Sequence, residues 1–267
     1  MNNTDMHKIA NIARLRLLEQ SEGIKNRIHW GSSFSLMEIV TVLFTSVCDD
    51  TNDVFILSKG HGAPGVYSIL YEIGKIDKEI WNSYGESGSP LSELMEFNPD
   101  LGFTCSGGSL GLGLSYGEGI ALRKKKKNEE GRVYVLLGDG EVNEGSVWEA
   151  IASAAHYKLD NLNLIIDRNR LQSDGSTDVI LKLPDFKSCL EIFGWIVYET
   201  DGHDCKKLLK IFEKSPIEGK PTAIICNTVK GKGVSFMEDN PIWHDNSMSQ
   251  SEFDIARKEL TDRVANQ

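Results

Sequence analysis

Two oxygen-bearing side chains, Asp139 and Asn169, stand just beyond two successive apolar runs, 132–137 and 162–166. Runs this apolar suit the middle of a parallel sheet covered on both faces. A helical pattern over 144–157 joins them, so a right-handed crossover brings both strand ends, and with them Asp139 and Asn169, to one edge. A carboxylate and an amide oxygen, with no histidine or cysteine thiol in the set, form half of a hard shell for Mg²⁺, or for Ca²⁺ or Mn²⁺. Phosphate and water would complete it. Gly138 and Gly140 let backbone approach such a phosphate closely. Taken alone, Gly138-Asp139-Gly140 equally describes a tight turn leaving a strand.

The histidines differ in what surrounds them. His61 sits between Gly60 and Gly62 after a strand-like run, where no apolar periodicity explains it and where it can donate to phosphate oxygens. His29 precedes Trp30, so packing and ligand contact are both open, and His244 follows Trp243 in a polar loop. His203 falls in Asp201–Asp204, which reads as a capping loop with Asp204 as N-cap, while His7 and His156 lie on helices. Glu144 opens a helix, an ordinary place for an acidic side chain to meet the helix dipole. The basic run Arg123–Lys127 closes another helix before Asn128 and Gly131 and reads as a solvated C-terminal turn.

Strands near 54–57, 132–137, 162–167, 195–200 and 222–227 alternate with helices near 5–20, 35–47, 63–74, 110–127, 145–157, 204–214 and 250–264. The spacing predicts an α/β fold with a mostly parallel sheet sandwiched by helices, built as one domain over 1–267. Segment 82–100, rich in Ser, Gly and Pro, is expected as a surface loop near the site. In the first helix Asp5, Lys8, Arg14, Arg16 and Glu19 interleave with Ile9, Ile12, Leu15 and Leu18, an amphipathic pattern unlike a signal peptide. A net charge of −10 argues against nucleic acid. Five scattered cysteines without CxxC pairs favour reduced thiols, and no apolar run reaches membrane-spanning length. A cytoplasmic location is expected, with neither nucleic acid nor membrane as partner.

The blocks 137–145 and 167–175 together resemble the thiamine-diphosphate motif of the transketolase family. Other blocks resemble that family in the same order: Asn26–Gly31, Phe55–Gly62, Gly102–Gly111, and Thr228–Met237 followed by Trp243-His244. The resemblance implies a thiamine-diphosphate-binding fold. Asp139, Asn169 and the Leu171 carbonyl would hold the metal, while His61, Gly138 and Gly140 would meet the diphosphate. Gly108, Ser109 and Leu110 would line the aminopyrimidine side, and His29 and His244 would face the substrate. Glu144 would belong to a carboxylate network linking two sites across a dimer. The implied reaction moves a two-carbon ketol unit from a donor to an aldehyde or sugar acceptor by carbanion chemistry on the cofactor.

At 267 residues the chain suffices for the first of the family's three domains. It is therefore expected as the N-terminal subunit of a split enzyme, active with a separate C-terminal subunit that carries the pyrimidine-binding domain, in an α2β2 assembly. Two departures bear on the donor. Phe97-Asn98-Pro99 stands where the family commonly has Gly-His-Pro, so Asn98 is expected at the substrate, and Asp245 follows His244 where glycine is frequent. Both point toward a specialised sugar or keto-acid donor. Two rival readings are the α subunit of a 2-oxo acid dehydrogenase or decarboxylase and a cofactor-binding module without catalysis.

Overall fold

Alternation along each strand decides the architecture. In a computed structural model describing residues 3–22, 28–49 and 51–266, all five expected strands form: β1 (Val54–Leu57), β2 (Val133–Gly138), β3 (Leu162–Arg168), β4 (Ile196–Asp201) and β5 (Thr222–Asn227). They pair in parallel in the order β1-β2-β3-β5-β4. Phe55, Tyr134, Leu136, Ile165, Ile224 and Cys226 enter one apolar cluster, whereas Ile56, Val135, Leu137, Leu164, Ile166 and Ile225 enter another. The period of two thus sorts β1, β2, β3 and β5 onto two buried faces, while the edge strand β4 is largely half-buried or exposed. Each fully buried aliphatic side chain contributes about 1.5–3 kcal/mol over its exposed state.

Helices α1 (Asn3–Gln20), α2 (Trp30–Ser35), α3 (Met37–Val42), α4 (Ala63–Glu72) and α5 (Lys78–Asn82) precede α6 (Leu112–Lys127) and α7 (Gly145–His156). They are followed by α8 (Thr177–Ile180), α9 (Phe186–Ile192), α10 (Cys205–Phe212) and α11 (Gln250–Ala265). Residues of α1 to α4, α10 and α11 build the first cluster, and α6, α7 and α9 supply the second. The helix expected over 35–47 begins earlier and divides at Leu36 into α2 and α3, then passes into a π turn at Leu43–Val47. The short helices α5, α8 and α9 fall where no helix is expected from the sequence. Asp204 caps α10 by accepting from Lys207 N at 3.0 Å, as the capping-loop reading of Asp201–Asp204 predicts. The basic run closes α6, with Asn128 in the left-handed C-cap conformation.

Helix α1 buries Leu18 as its sequence suggests, but Ile9, Ile12 and Leu15 are only partly buried and the inward stripe is centred elsewhere. Met6, Ala10, Ala13, Arg14 and Leu17 are buried, so a guanidinium, 1% exposed, lies in the core. Arg14 donates in fork geometry to both Glu38 carboxylate oxygens, at 2.6 and 2.7 Å, and to the Phe34 carbonyl at 2.8 Å. His203 Nε2 accepts from Val229 N at 2.9 Å, so its proton sits on Nδ1 and is donated to Glu38 at 2.8 Å. Burial alone would raise the Glu38 pKa, but Arg14 and His203 overcome it and hold the carboxyl far below its ordinary range.

The relay ties α1 and α3 to the loop after β5. Removing one member of a buried pair strands the other, so Arg14→Ala is expected to cost about 3–5 kcal/mol in denaturant unfolding. Because the folded Glu38 pKa is depressed, its contribution is complete above its ordinary value of 4.5 and drains away as pH falls below that. Glu38→Gln should flatten that acid limb, and an unchanged limb would assign it elsewhere.

Candidate active site

The β2–β3 register pairs Gly138 with Asp167, which sets the loops that follow both strands side by side. Asp139 caps the short turn Gly140–Asn143. One of its carboxylate oxygens accepts from Gly140 N at 2.9 Å and the other from Arg170 N at 2.5 Å. Arg170 adopts a left-handed conformation, φ 63°, folding the chain back so that Asn169 Oδ1 accepts from Leu171 N at 3.1 Å. Asp139, Asn169 and Leu171 thus border one cleft of about 340 Å³, as the crossover argument requires. Burial, then the neighbouring Asp167, pushes the Asp139 carboxyl up to about 6. A cation at this carboxylate would offset both effects.

His29, His61 and His244 meet across the same cleft as a triangle, with ring centroids 5.3, 5.4 and 5.3 Å apart. Burial, then Lys59, drives His61 well below its ordinary pKa, and burial, then Lys230, drives His244 down to about 3. Both rings are neutral near pH 7. Lys230 Nζ donates to His244 Nδ1 at 2.7 Å, which leaves the His244 proton on Nε2. Lys230 also donates to the Leu171 carbonyl at 3.3 Å, and burial, then Lys59, lowers its pKa to about 8. Lys59 is paired with fully buried Asp167 and donates to the Ser32 carbonyl at 3.0 Å.

Close backbone approach explains two of the glycines. A Cβ on Gly60 would lie 2.2 Å from the Gly107 carbonyl oxygen, and one on Gly140 would lie 2.8 Å from Gln172 Cγ. Buried Glu141 fastens three loops together, accepting from Ser58, from Gly111 N at 2.8 Å and from Gly138 N at 3.1 Å. Gly108 and Leu110 border the cleft, whereas Ser109 between them is exposed and does not line it. Glu144 borders the cleft as the exposed N-cap residue of α7, with no capping bond from its side chain.

Asn98 requires a correction. Its side chain accepts from Leu101 N at 3.3 Å, its backbone pairs with Phe103, and it does not line the cleft. An N-cap role for the short turn Pro99–Leu101 absorbs it. From the same loop Leu94 reaches the cleft, and Glu93 meets His29 Nδ1 at 2.9 Å. Sequence reasoning also missed Lys59, Lys230 and Glu141. The signal for the lysines was their setting among glycines, in Ser58–Gly62 and Val229–Gly231. Asn26 and Arg27, from the block around His29, lie outside the described residues.

The residues present fit thiamine diphosphate with a divalent cation. The candidate metal ligands are all oxygen, as Mg²⁺ prefers, and buried lysines and histidine N–H groups flank glycine backbone that an anionic diphosphate could approach.

Residues 6–264 match the family described as transketolase, thiamine diphosphate binding domain. One subunit of the apulose-4-phosphate transketolase of Actinobacillus succinogenes is 39% identical over 242 residues, 88% of each chain. One subunit of the 6-deoxy-6-sulfo-D-fructose transketolase of a Clostridium species is 32% identical over 265 residues, 96% of each chain. Among solved structures, the transketolase of Campylobacter jejuni superposes with a TM-score of 0.87 at 26% identity. That match takes in 98% of this chain and 43% of the longer one. The chain belongs to the transketolase family of thiamine-diphosphate-dependent transferases, as an N-terminal subunit of the split type.

Proposed function

We propose that the chain forms one domain that anchors thiamine diphosphate and transfers a two-carbon ketol unit together with a C-terminal subunit bearing the pyrimidine-binding domain, in an α2β2 assembly. The observation that carries this reading is the single cleft uniting Asp139, Asn169 and Leu171 with three histidines and two buried lysines. Asp139, Asn169 and the Leu171 carbonyl would hold Mg²⁺, or Ca²⁺ or Mn²⁺ in its place. His61, Lys59, Lys230 and the backbone of Gly138 and Gly140 would bind the diphosphate; Gly108, Leu110 and the adjoining Ser109 would lie on the aminopyrimidine side. His29 and His244 would orient the donor and move protons at its hydroxyls. Glu144 would face the second copy. The bound cofactor supplies the electron sink for carbon–carbon cleavage.

The relatives' names specify one phosphorylated and one sulfonated sugar, which supports a specialised ketose donor in carbohydrate metabolism. The relatives named above are transketolases, which disfavours the 2-oxo acid dehydrogenase reading. The paired metal ligands and the histidine triangle disfavour a module without chemistry.

Cofactor titration by calorimetry tests the anchor. Asp139→Ala is expected to weaken Mg²⁺-dependent binding at least about a hundredfold and to lower kcat/KM as much, with Asn169→Ala close behind. Normal binding in both variants would refute the metal assignment. The chain without its partner should bind cofactor poorly and turn over nothing, because one end of the cofactor would lack a protein wall. Ketol transfer by this chain alone would overturn the need for a partner.

Donor choice is expected to follow Leu94 rather than Asn98. Asn98→His should leave the ranking of ketose phosphates within about twofold, whereas Leu94→His should change it by about tenfold, the scale of one hydrogen bond to a charged group. Kinetics on several donors decide, and a ranking that follows Asn98 would restore that residue to the site.

A further inference from the structure

His29 is set apart from the other two histidines by its neighbours. His61 and His244 face Lys59 and Lys230, whereas His29 is held by a carboxylate, Glu93 Oε1, 2.9 Å from its Nδ1. Asp245 brings a second carboxylate: a ring nitrogen of His29 and one oxygen each of Glu93 and Asp245 lie within 4.8 Å of one another. An ionised carboxylate only accepts hydrogen bonds, so the Nδ1 facing Glu93 carries a proton, and in the neutral ring Nε2 keeps its lone pair. Glu93 belongs to the loop 82–100, which is pinned to the cleft wall by Met95 N donating to the Gly60 carbonyl at 3.1 Å and Gly107 N donating to the Met95 carbonyl at 2.7 Å. The carboxylate is therefore placed by backbone bonds to the strand-end loops, not by a free surface segment.

We propose that Glu93 is a positioning residue for the donor: it fixes His29 in the Nδ1–H tautomer and presents Nε2 to the cleft as the acceptor for a donor hydroxyl. The inference rests on the ketol-transfer reading only for the identity of that hydroxyl's owner. It also accounts for two kinds of histidine in one triangle. His244, with Nδ1 taken by Lys230, offers an N–H, and His29, with Nδ1 turned to Glu93, offers a lone pair. A polyhydroxylated ketose, whose adjacent oxygens can accept from one ring and donate to the other, matches such a pair.

The test uses the full chain assembled with its partner. Glu93→Leu is expected to lower kcat/KM for a ketose donor about ten- to hundredfold while leaving the Kd for thiamine diphosphate unchanged, and Glu93→Gln, whose amide oxygen still accepts from Nδ1–H, should recover most of the loss. Asp245→Asn separates the second carboxylate and should have the smaller effect. Long-range ¹H–¹⁵N spectra of histidine-labelled chain, with the His29 signal identified by its loss in His29→Gln, should show the Nδ1–H tautomer and its dilution in Glu93→Leu. An unchanged tautomer in Glu93→Leu, or a loss of cofactor affinity equal to the loss of kcat/KM, would overturn the positioning role. A tautomer change in a complex without ketol transfer would sustain the Glu93–His29 pairing and sink the functional reading instead.

Discussion

Asp167 holds the site together. Its fully buried carboxylate, the last but one residue of β3, accepts from Lys59 after β1, from Ser35 at the end of α2 and from Thr228 after β5. One side chain thereby ties the ends of three strands and a helix at the sheet edge where all the candidate ligands stand. A buried carboxylate is tolerable only when its oxygens are satisfied, and here both are engaged. The loops that follow are consequently fixed relative to one another before any ligand arrives, which is the condition for a site that does not reorganise on binding.

The charges around Asp167 are arranged at some cost to the chain itself. Lys230 is brought down to about 8 and Asp139 up to about 6, in each case first by burial. A diphosphate beside the lysines and a divalent cation beside Asp139 would relieve both, so affinity draws on electrostatic free energy already stored in the folded chain. The same logic explains why His61 and His244 are neutral near pH 7: both rings are buried, and next to Lys59 and Lys230 an imidazolium would add a further buried positive charge.

Much of this is legible in the residues because it follows from periodicity and from chain direction. Five strands, their parallel pairing and the juxtaposition of Asp139 with Asn169 need only apolar runs, glycine-marked ends and the handedness of crossovers. Most of what is not legible has one cause, namely side chains whose partner is remote in sequence. Arg14 reads as part of a solvated face because nothing local marks Glu38 as its partner. Asn98 is a different case, since its local cap on Leu101 competes with a role in the cleft and Asn before Pro is a common turn opening. Lys59, Glu141 and Glu93 act through residues 108, 83 and 64 positions away, a distance that no local pattern reports. Short helices such as α8 and α9 escape sequence reading because a turn or two of helix shows no period.

The cleft is walled unevenly, and the open side is chemically distinct. Around the glycine loop and the start of α6, Leu110, Leu112 and Tyr116 are 37%, 54% and 48% exposed, a concentration of apolar surface unlike the polar floor at Asp139 and Lys230. In the proposed reading a diphosphate and its cation would take the polar floor around Asp139, Lys59 and Lys230. An aromatic ring requires apolar walls on both faces, and here Leu110, Leu94 and the glycine backbone form one side. The division of labour proposed for two subunits therefore follows from the cofactor's own chemistry: the charged end is bound by loops at the ends of parallel strands, where backbone and lysines converge, and the aromatic end is left at an apolar rim that a second protein surface can cover.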